Sequence, residues 1–178
     1  MSSSSTSRAD DLKVRTVALA VAAQVWPLLA LVGGLLAAAL AWMARSGDAV
    51  PATMAWVLLV KPAALGMVVG FALHESAHVV VLKRIRTVTH ITIERSALRT
   101  SVVPEGTMTA RQAAVVALAG PSACVAVGAV LWISGLDRSL SWWYLAHIVF
   151  LLPFFGDGRA LRHGLRAASG QTVEAEGN

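Results

Sequence analysis

Two histidines and one glutamate lie close together in an apolar stretch of this 178-residue chain. They are His74, Glu75 and His78, in the order His-Glu-Ser-Ala-His. On a helix, histidines four positions apart lie on one face and can bind the same metal ion. Zinc accepts imidazole nitrogen, and a catalytic zinc site usually has three protein ligands and a water molecule. The spacing therefore predicts that His74 and His78 bind one zinc ion and that Glu75 transfers protons beside it.

The same pattern also occurs by chance in helices that bind no metal. The alternative interpretation is two histidines at a membrane interface, beside a glutamate whose side chain extends toward water. Ionisable residues at membrane depth are costly, and each one is a functional hypothesis by default. Three of them in the short run from His74 to His78 therefore favour a metal site.

A third zinc ligand is needed, and Asp157 is the other acidic residue that falls within an apolar segment. Gly156 and Gly158 on either side allow the backbone to turn or to approach closely. The alternative is that Asp157 only ends a helix at a membrane interface, because Asp-Gly is a common turn pair. We expect Asp157 to be the third ligand.

The composition is that of a membrane protein. Hydrophobic residues make up 56% of the chain and charged residues 14%, whereas a soluble domain has about 25% charged residues. The fold class expected from this composition is an all-α polytopic membrane protein with about four transmembrane helices. Lys and Arg lie in short clusters beside apolar segments, which is typical of membrane interfaces, so the basic pI does not indicate nucleic-acid binding.

The apolar pattern divides the chain into seven segments. We predict a disordered cytosolic tail at 1–15, a β-prone loop at 83–111, a loose tail at 169–178, and transmembrane helices at 16–44, 51–82, 112–134 and 140–168. Pro27 is expected to kink the first helix. In the second helix, Gly66 and Gly70 form a GxxxG pair, which permits close helix contact. The loop is expected to form one or two short strands against the membrane face.

The basic residues also predict an orientation. Lys and Arg are concentrated before the first predicted helix, in the loop at 83–111 and in the C-terminal segment that follows Gly158. The positive-inside rule therefore places both termini and this loop in the cytosol. The second and fourth helices then run in the same direction, so the ends that carry His78 and Asp157 meet at one depth.

Three motifs occur in a characteristic order: HESAH at 74–78, ALAGP at 117–121 and LLPFFGDG at 151–158. In these motifs, and in the β-prone loop between the first two, the chain resembles the site-2 protease family of intramembrane zinc metalloproteases. The resemblance extends over roughly 63–165. It implies hydrolysis of a peptide bond in a membrane-bound protein or peptide, in regulated proteolysis or precursor processing, in a bacterial cell membrane.

The resemblance also implies roles for individual residues. The zinc ligands would be His74, His78 and Asp157, with Glu75 as the catalytic acid and base. The implied substrate-binding residues are Gly120, Pro121 and Pro153. The implied partners are a membrane substrate and the lipid bilayer, with a regulatory membrane partner or a homo-oligomer left open.

Two positions depart from the family's pattern. Cys124 and Phe150 stand where the family commonly has asparagines, which are thought to help hold the substrate strand. These departures motivate an alternative, a catalytically silent membrane homologue that acts as a binding or regulatory partner. A metal transporter is disfavoured because no relay of charges crosses the membrane. His147 precedes Asp157 by ten residues, about 15 Å along a helix, so we do not expect it to be a ligand.

Overall fold

The computed structural model describes residues 3–95 and 100–175, and the side chains of 4–94 and 101–167. It is mostly helical. Three helices are long and apolar enough to cross a membrane, and they are Trp26–Ser46, Val50–Leu82 and Ala110–Ser134. A fourth crossing is available if the bent pair Arg138–Leu151 and Gly156–Ala167 is counted as one span.

A three-stranded antiparallel sheet accompanies the helices. Its strands, in the spatial order β1-β2-β3, are β1 (Ser3–Arg8), β2 (Val88–Arg95) and β3 (Thr100–Gly106). Strands β2 and β3 lie within the predicted β-prone loop. The prediction of a disordered tail is wrong for β1, which pairs along the edge of β2. A serine-rich segment has no apolar alternation to indicate a strand, and hydrogen bonds to β2 supply its order.

The first apolar segment forms two helices, α1 (Val14–Gln24) and α2 (Trp26–Ser46), and not the single helix predicted for 16–44. The break falls at Val25, two residues before Pro27. Proline has no backbone N–H, and it is favoured in the first turn of a helix, where α2 places it. Val17 of α1 is fully buried, whereas Val32 is the one buried residue among the described residues of α2.

The second apolar segment is continuous from Val50 to Leu82, in agreement with the predicted helix at 51–82. It consists of α3 (Val50–Ala55), a π-helical stretch (Trp56–Val68) and α4 (Val69–Leu82). The stretch with wider turns contains Pro62, which cannot donate a backbone hydrogen bond. The third segment is α5 (Ala110–Ser134), which corresponds to the predicted helix at 112–134.

The fourth segment is broken, and the continuous helix predicted for 140–168 is wrong. It consists of α6 (Arg138–Leu145), a 3₁₀ turn (Ala146–Leu151) and α7 (Gly156–Ala175), with a 47° bend between the two halves. Leu152 is extended, with φ −68° and ψ 146°, because the residue before a proline is pushed out of the helical region. Helix α7 continues to Ala175, through most of the predicted loose tail; residues 176–178 lie outside the described residues.

The sheet packs against α1 and the end of α4. A buried apolar cluster joins these elements, and it consists of Ala9, Leu12, Val17, Ala20, Val79, Leu82, Ile85, Val88, Ile91 and Ile93. This cluster holds the final turn of α4 in place. His74, Glu75 and His78 lie on α4 just before this final turn, at the level where α4, α5 and α7 meet.

Candidate metal centre

Helix α4 presents His74 and His78 on one face, as their spacing predicts. Both are buried, with 4% and 7% exposure. Their Nε2 atoms lie 3.1 Å apart. Two ring nitrogens therefore converge inside an otherwise apolar environment.

Asp157 completes a group of three donors. It lies in the first turn of α7, where a carboxylate interacts favourably with the helix dipole. Its Oδ2 is 3.0 Å from His74 Nε2, and its Oδ1 is 3.5 Å from His78 Nε2. Gly158 is buried, and a Cβ there would overlap the carbonyl oxygens of Leu151 and Leu152. A glycine is therefore required where α7 turns Asp157 toward α4.

The hydrogen bond at the other side of His78 determines which ring nitrogen carries a proton. His78 Nδ1 lies 2.7 Å from the carbonyl oxygen of Val116 on α5. Because a carbonyl only accepts, Nδ1–H is the donor, and the lone pair of neutral His78 is on Nε2. That lone pair faces His74 and Asp157, as metal binding requires.

Helix α5 approaches the two imidazoles closely at Gly120. A Cβ at this position would lie 2.6 Å from His78 Nε2 and 2.8 Å from His74 Nε2. Gly120 therefore leaves the space in which the histidine side chains sit. Pro121 beside it is fully buried. Pro153 lies in the exposed break before α7. The substrate-binding roles of these three residues stay predictions.

The spacing of the three donors is close to that of ligands around a tetrahedral metal ion. Bonds of about 2.0–2.1 Å in a tetrahedron place neighbouring ligand atoms about 3.3–3.4 Å apart. His74 Nε2 lies 3.1 Å from His78 Nε2 and 3.0 Å from Asp157 Oδ2, and His78 Nε2 lies 3.5 Å from the other carboxylate oxygen, Oδ1. Imidazole nitrogen and carboxylate oxygen are also ligand types that zinc accepts. These residues could hold a divalent metal ion.

Glu75 and the three donors line one cavity of about 870 Å³. The cavity lies between α1, α4, α5, β3 and α7. Ser101, Val102 and Pro104 of β3 form part of its wall. A half-buried carboxylate, the metal-ligand group and one edge of the sheet therefore open onto the same space.

His147 lies beside the group of three donors, contrary to the expectation from its separation along a helix. The centroids of the His74 and His147 rings are 5.6 Å apart. The chain is not helical between Leu152 and Phe155, so the helical rise does not apply to the ten residues that separate His147 from Asp157. The Pro153 signal could have indicated this break. That His147 is not a metal ligand stays a prediction. His74, Cys124 and His147 also form a second buried group with metal-ligand atoms.

Phe150 is a second residue whose contact with His74 was not predicted from the sequence. Its ring is 5.2 Å from that of His74, and it lines the cavity. Cys124, at the second position that departs from the family pattern, is fully buried, and its thiol donates to the Gly70 carbonyl at 3.4 Å.

Comparisons of the chain with protein-family models, curated proteins and solved structures find no match.

Proposed function

We propose that the chain is a zinc-dependent membrane peptidase of the site-2 protease kind. It hydrolyses a peptide bond in a membrane-bound protein or peptide. The observation that carries this proposal is the convergence of His74 Nε2, His78 Nε2 and the Asp157 carboxylate within 3.5 Å. Glu75, a half-buried acid, lines the same cavity.

The protein's residues divide the chemistry between them. His74, His78 and Asp157 would hold the ion, which when bound supplies a Lewis acid that lowers the pKa of water to about 7. Glu75 takes a proton from the attacking water as the new C–O bond forms. It then donates that proton to the departing amine nitrogen as the C–N bond breaks.

Strand β3 supports an extended substrate. Among the described residues it pairs only with β2, so its second edge is open. Ser101 and Val102 on this strand line the cavity that also contains Glu75. A helical amide is protected by its own hydrogen bonds. A substrate segment that unwinds could add to the β3 edge and expose its amide in the cavity.

The chain crosses the membrane four times in this proposal, with both termini in the cytosol of a bacterial cell. The three long apolar helices and the bent pair are the crossings. The pairing of β1 with β2 supports the orientation, because it brings the N-terminal segment to the same face as the loop at 83–111. The positive-inside rule assigns both segments to the cytosol.

The test compares two glutamate variants of the full chain in lipid nanodiscs. Bound zinc is measured by elemental analysis, and cleavage is measured on a panel of labelled single-span peptides. Glu75→Gln should retain zinc and lose cleavage by at least about 100-fold. Glu94→Gln changes an exposed glutamate of β2 and should behave as the wild type. Equal cleavage by Glu75→Gln and wild type would exclude the mechanism.

A second candidate is a catalytically silent membrane protein that keeps the metal and binds a partner. The observation that favours it is the Phe150 ring against His74, at a position where the resemblance leads us to expect an asparagine. An aromatic ring offers no hydrogen-bond donor or acceptor to a substrate backbone. Zinc binding with no cleavage of any peptide in the panel would favour this function over the first.

A further inference from the structure

Two buried ring nitrogens beside the metal centre have no hydrogen-bond partner among the described residues. They are Nδ1 of His74 and Nε2 of His147, and both residues are 4% exposed. Leaving one buried polar atom unpaired costs about 1–3 kcal/mol. Because the two rings are neighbours, a hydrogen-bonded link between the two histidines would provide both nitrogen atoms with a partner.

Backbone contacts determine where His147 carries its proton. Its Nδ1 lies 2.9 Å from the carbonyl oxygen of Trp143. Because the carbonyl only accepts, Nδ1–H donates, and Nε2 of the neutral ring has a free lone pair. His147 is therefore a hydrogen-bond acceptor at the atom that lacks a partner.

His74 has the complementary requirement. Its Nε2 faces His78 and Asp157, so as a neutral ligand it carries its proton on Nδ1. A metal-binding histidine almost always donates this second N–H to an acceptor, which fixes the orientation of the ring. His78 does so with Val116, whereas His74 has no backbone carbonyl in that role among the described residues.

We propose that His147 is a positioning residue that accepts a hydrogen bond from His74 Nδ1–H through one bridging water molecule, since the two nitrogen atoms are not in direct hydrogen-bond contact. This inference rests on the proposed metal centre. One ring nitrogen of each histidine lies within 4.8 Å of the other, and a water that bridges two groups spans about 4.5 Å. His147 thereby holds His74 in the orientation and tautomer that bind the ion.

The helix packing allows His147 to approach α4. A Cβ at Gly70, one turn before His74, would lie 2.9 Å from His147 Cε1 and 3.3 Å from its Nε2. A Cβ at Gly66 would lie 2.7 Å from Trp143 Cγ. The GxxxG pair thus leaves room for the Trp143 ring against the π-helical stretch and for His147 against α4. The pair acquires a role in the site and not only in helix packing.

A competing assignment is a second metal position formed by His74, Cys124 and His147. It explains the two unpaired nitrogens less well, because His74 would have to serve two ions or leave Asp157. The Cys124 thiol also already donates to the Gly70 carbonyl. A thiolate ligand has its own spectroscopic signature, so the same experiment can detect it.

The experiment measures Co²⁺ affinity of the full chain in nanodiscs by chelator competition and records the absorption spectrum. His147→Asn can still donate to Trp143 but is too short to reach His74, whereas His147→Gln reaches that position with an acceptor oxygen. We expect His147→Asn to bind Co²⁺ 10–100-fold more weakly and His147→Gln to recover most of the affinity. Cys124→Ala and the exposed-site control His163→Asn should match the wild type.

The outcomes separate this inference from the proposed function. Wild-type protein that binds no metal would overturn both. Metal binding that is equal in wild type and His147→Asn would overturn the inference alone, as would equal weakening by the Asn and Gln variants. A thiolate-to-cobalt charge-transfer band that Cys124→Ala abolishes would replace the inference with the second metal position.

Discussion

Two polar clusters are built on the same long helix, about 20 Å apart by the helical rise. They differ in whether their charged and polar groups have partners within the protein. The ion-pair cluster consists of Lys61, Asp137 and Ser139. The donor cluster consists of His74, His78 and Asp157. The side chains of Lys61 and Asp137 are 17% and 28% exposed, whereas those of His74 and His78 are 5% and 9% exposed.

The charged and polar groups of the ion-pair cluster pair with one another. Lys61 Nζ lies 2.6 Å from Asp137 Oδ2 and donates to Ser139 Oγ at 2.7 Å. Asp137 also accepts from the Leu140 N–H and so caps α6. A positive charge and a negative charge meet, and each has a partner. The cluster connects the loop before α6 to the long helix, and it needs no bound ligand to balance its charges.

The donor cluster contains no lysine or arginine. Its two ring nitrogens and its carboxylate oxygens lie 3.0–3.5 Å from one another, an arrangement that a metal ion would stabilise. Polarity in an apolar protein is therefore not by itself a sign of function. The sign is a set of metal-ligand atoms that converge with no lysine or arginine among them.

The largest expected difference between the clusters is in metal binding. Asp157→Asn should weaken Zn²⁺ affinity by more than about 100-fold, because loss of a group that only supports a ligand already costs 10–100-fold. Asp137→Asn makes the same chemical change in the ion-pair cluster and should leave the affinity unchanged. Chelator competition on both variants measures this. Equal affinities would remove Asp157 from the ligand set.

A second expected difference concerns the space around the donor cluster. Gly120→Ala places a Cβ 2.6 Å from His78 Nε2, so the imidazoles must move and zinc affinity should fall at least about 10-fold. The matched control is Gly33→Ala in α2, where a Cβ would have no atom within 4 Å. That control should bind zinc normally. Unchanged affinity in Gly120→Ala would show that the ion does not need this histidine geometry.

Zinc should also stabilise the protein through the donor cluster. Zinc at 100 times its dissociation constant should add about 2.7 kcal/mol to the free energy of unfolding. The increase should be present in wild type and Asp137→Asn and absent in Asp157→Asn. Thermal melting in detergent with and without a chelator measures it. A zinc-dependent increase that persists in Asp157→Asn would place the ion elsewhere.

The smallest effect is expected from the ion-pair cluster itself. Lys61, with help from the Leu140 N–H, lowers the pKa of Asp137 to about 2. The stabilisation is present above the ordinary Asp pKa of about 3.9 and is lost as pH falls through 2. Lys61→Met should cost about 0.2–1 kcal/mol near neutral pH. Melting curves of the two proteins should converge below pH 2, and a constant difference would exclude the ion pair as the cause.

Much of the donor cluster could be predicted from local spacing. His74 and His78 share a face because of the helical period. The predicted shared direction of the second and fourth apolar segments indicated that Asp157 lies near them, and Asp157 does contact His74. The backbone conformation between Ala146 and Phe155 could not be predicted from local spacing. Its 3₁₀ turn and extended Leu152 depend on how Pro153 is accommodated against α7, and this placed His147 where its sequence position did not suggest.

The apolar composition and the basic residues by themselves determined that the chain has helices long enough to cross a membrane, and the His-Glu-Ser-Ala-His order determined two donors on one face. Tertiary structure decided the rest. It paired β1 with β2, broke the first and fourth segments, and brought Gly120 and His147 against the imidazoles. The physical reason is range: helical period and hydropathy act over a few residues, whereas these contacts join residues that only packing brings together.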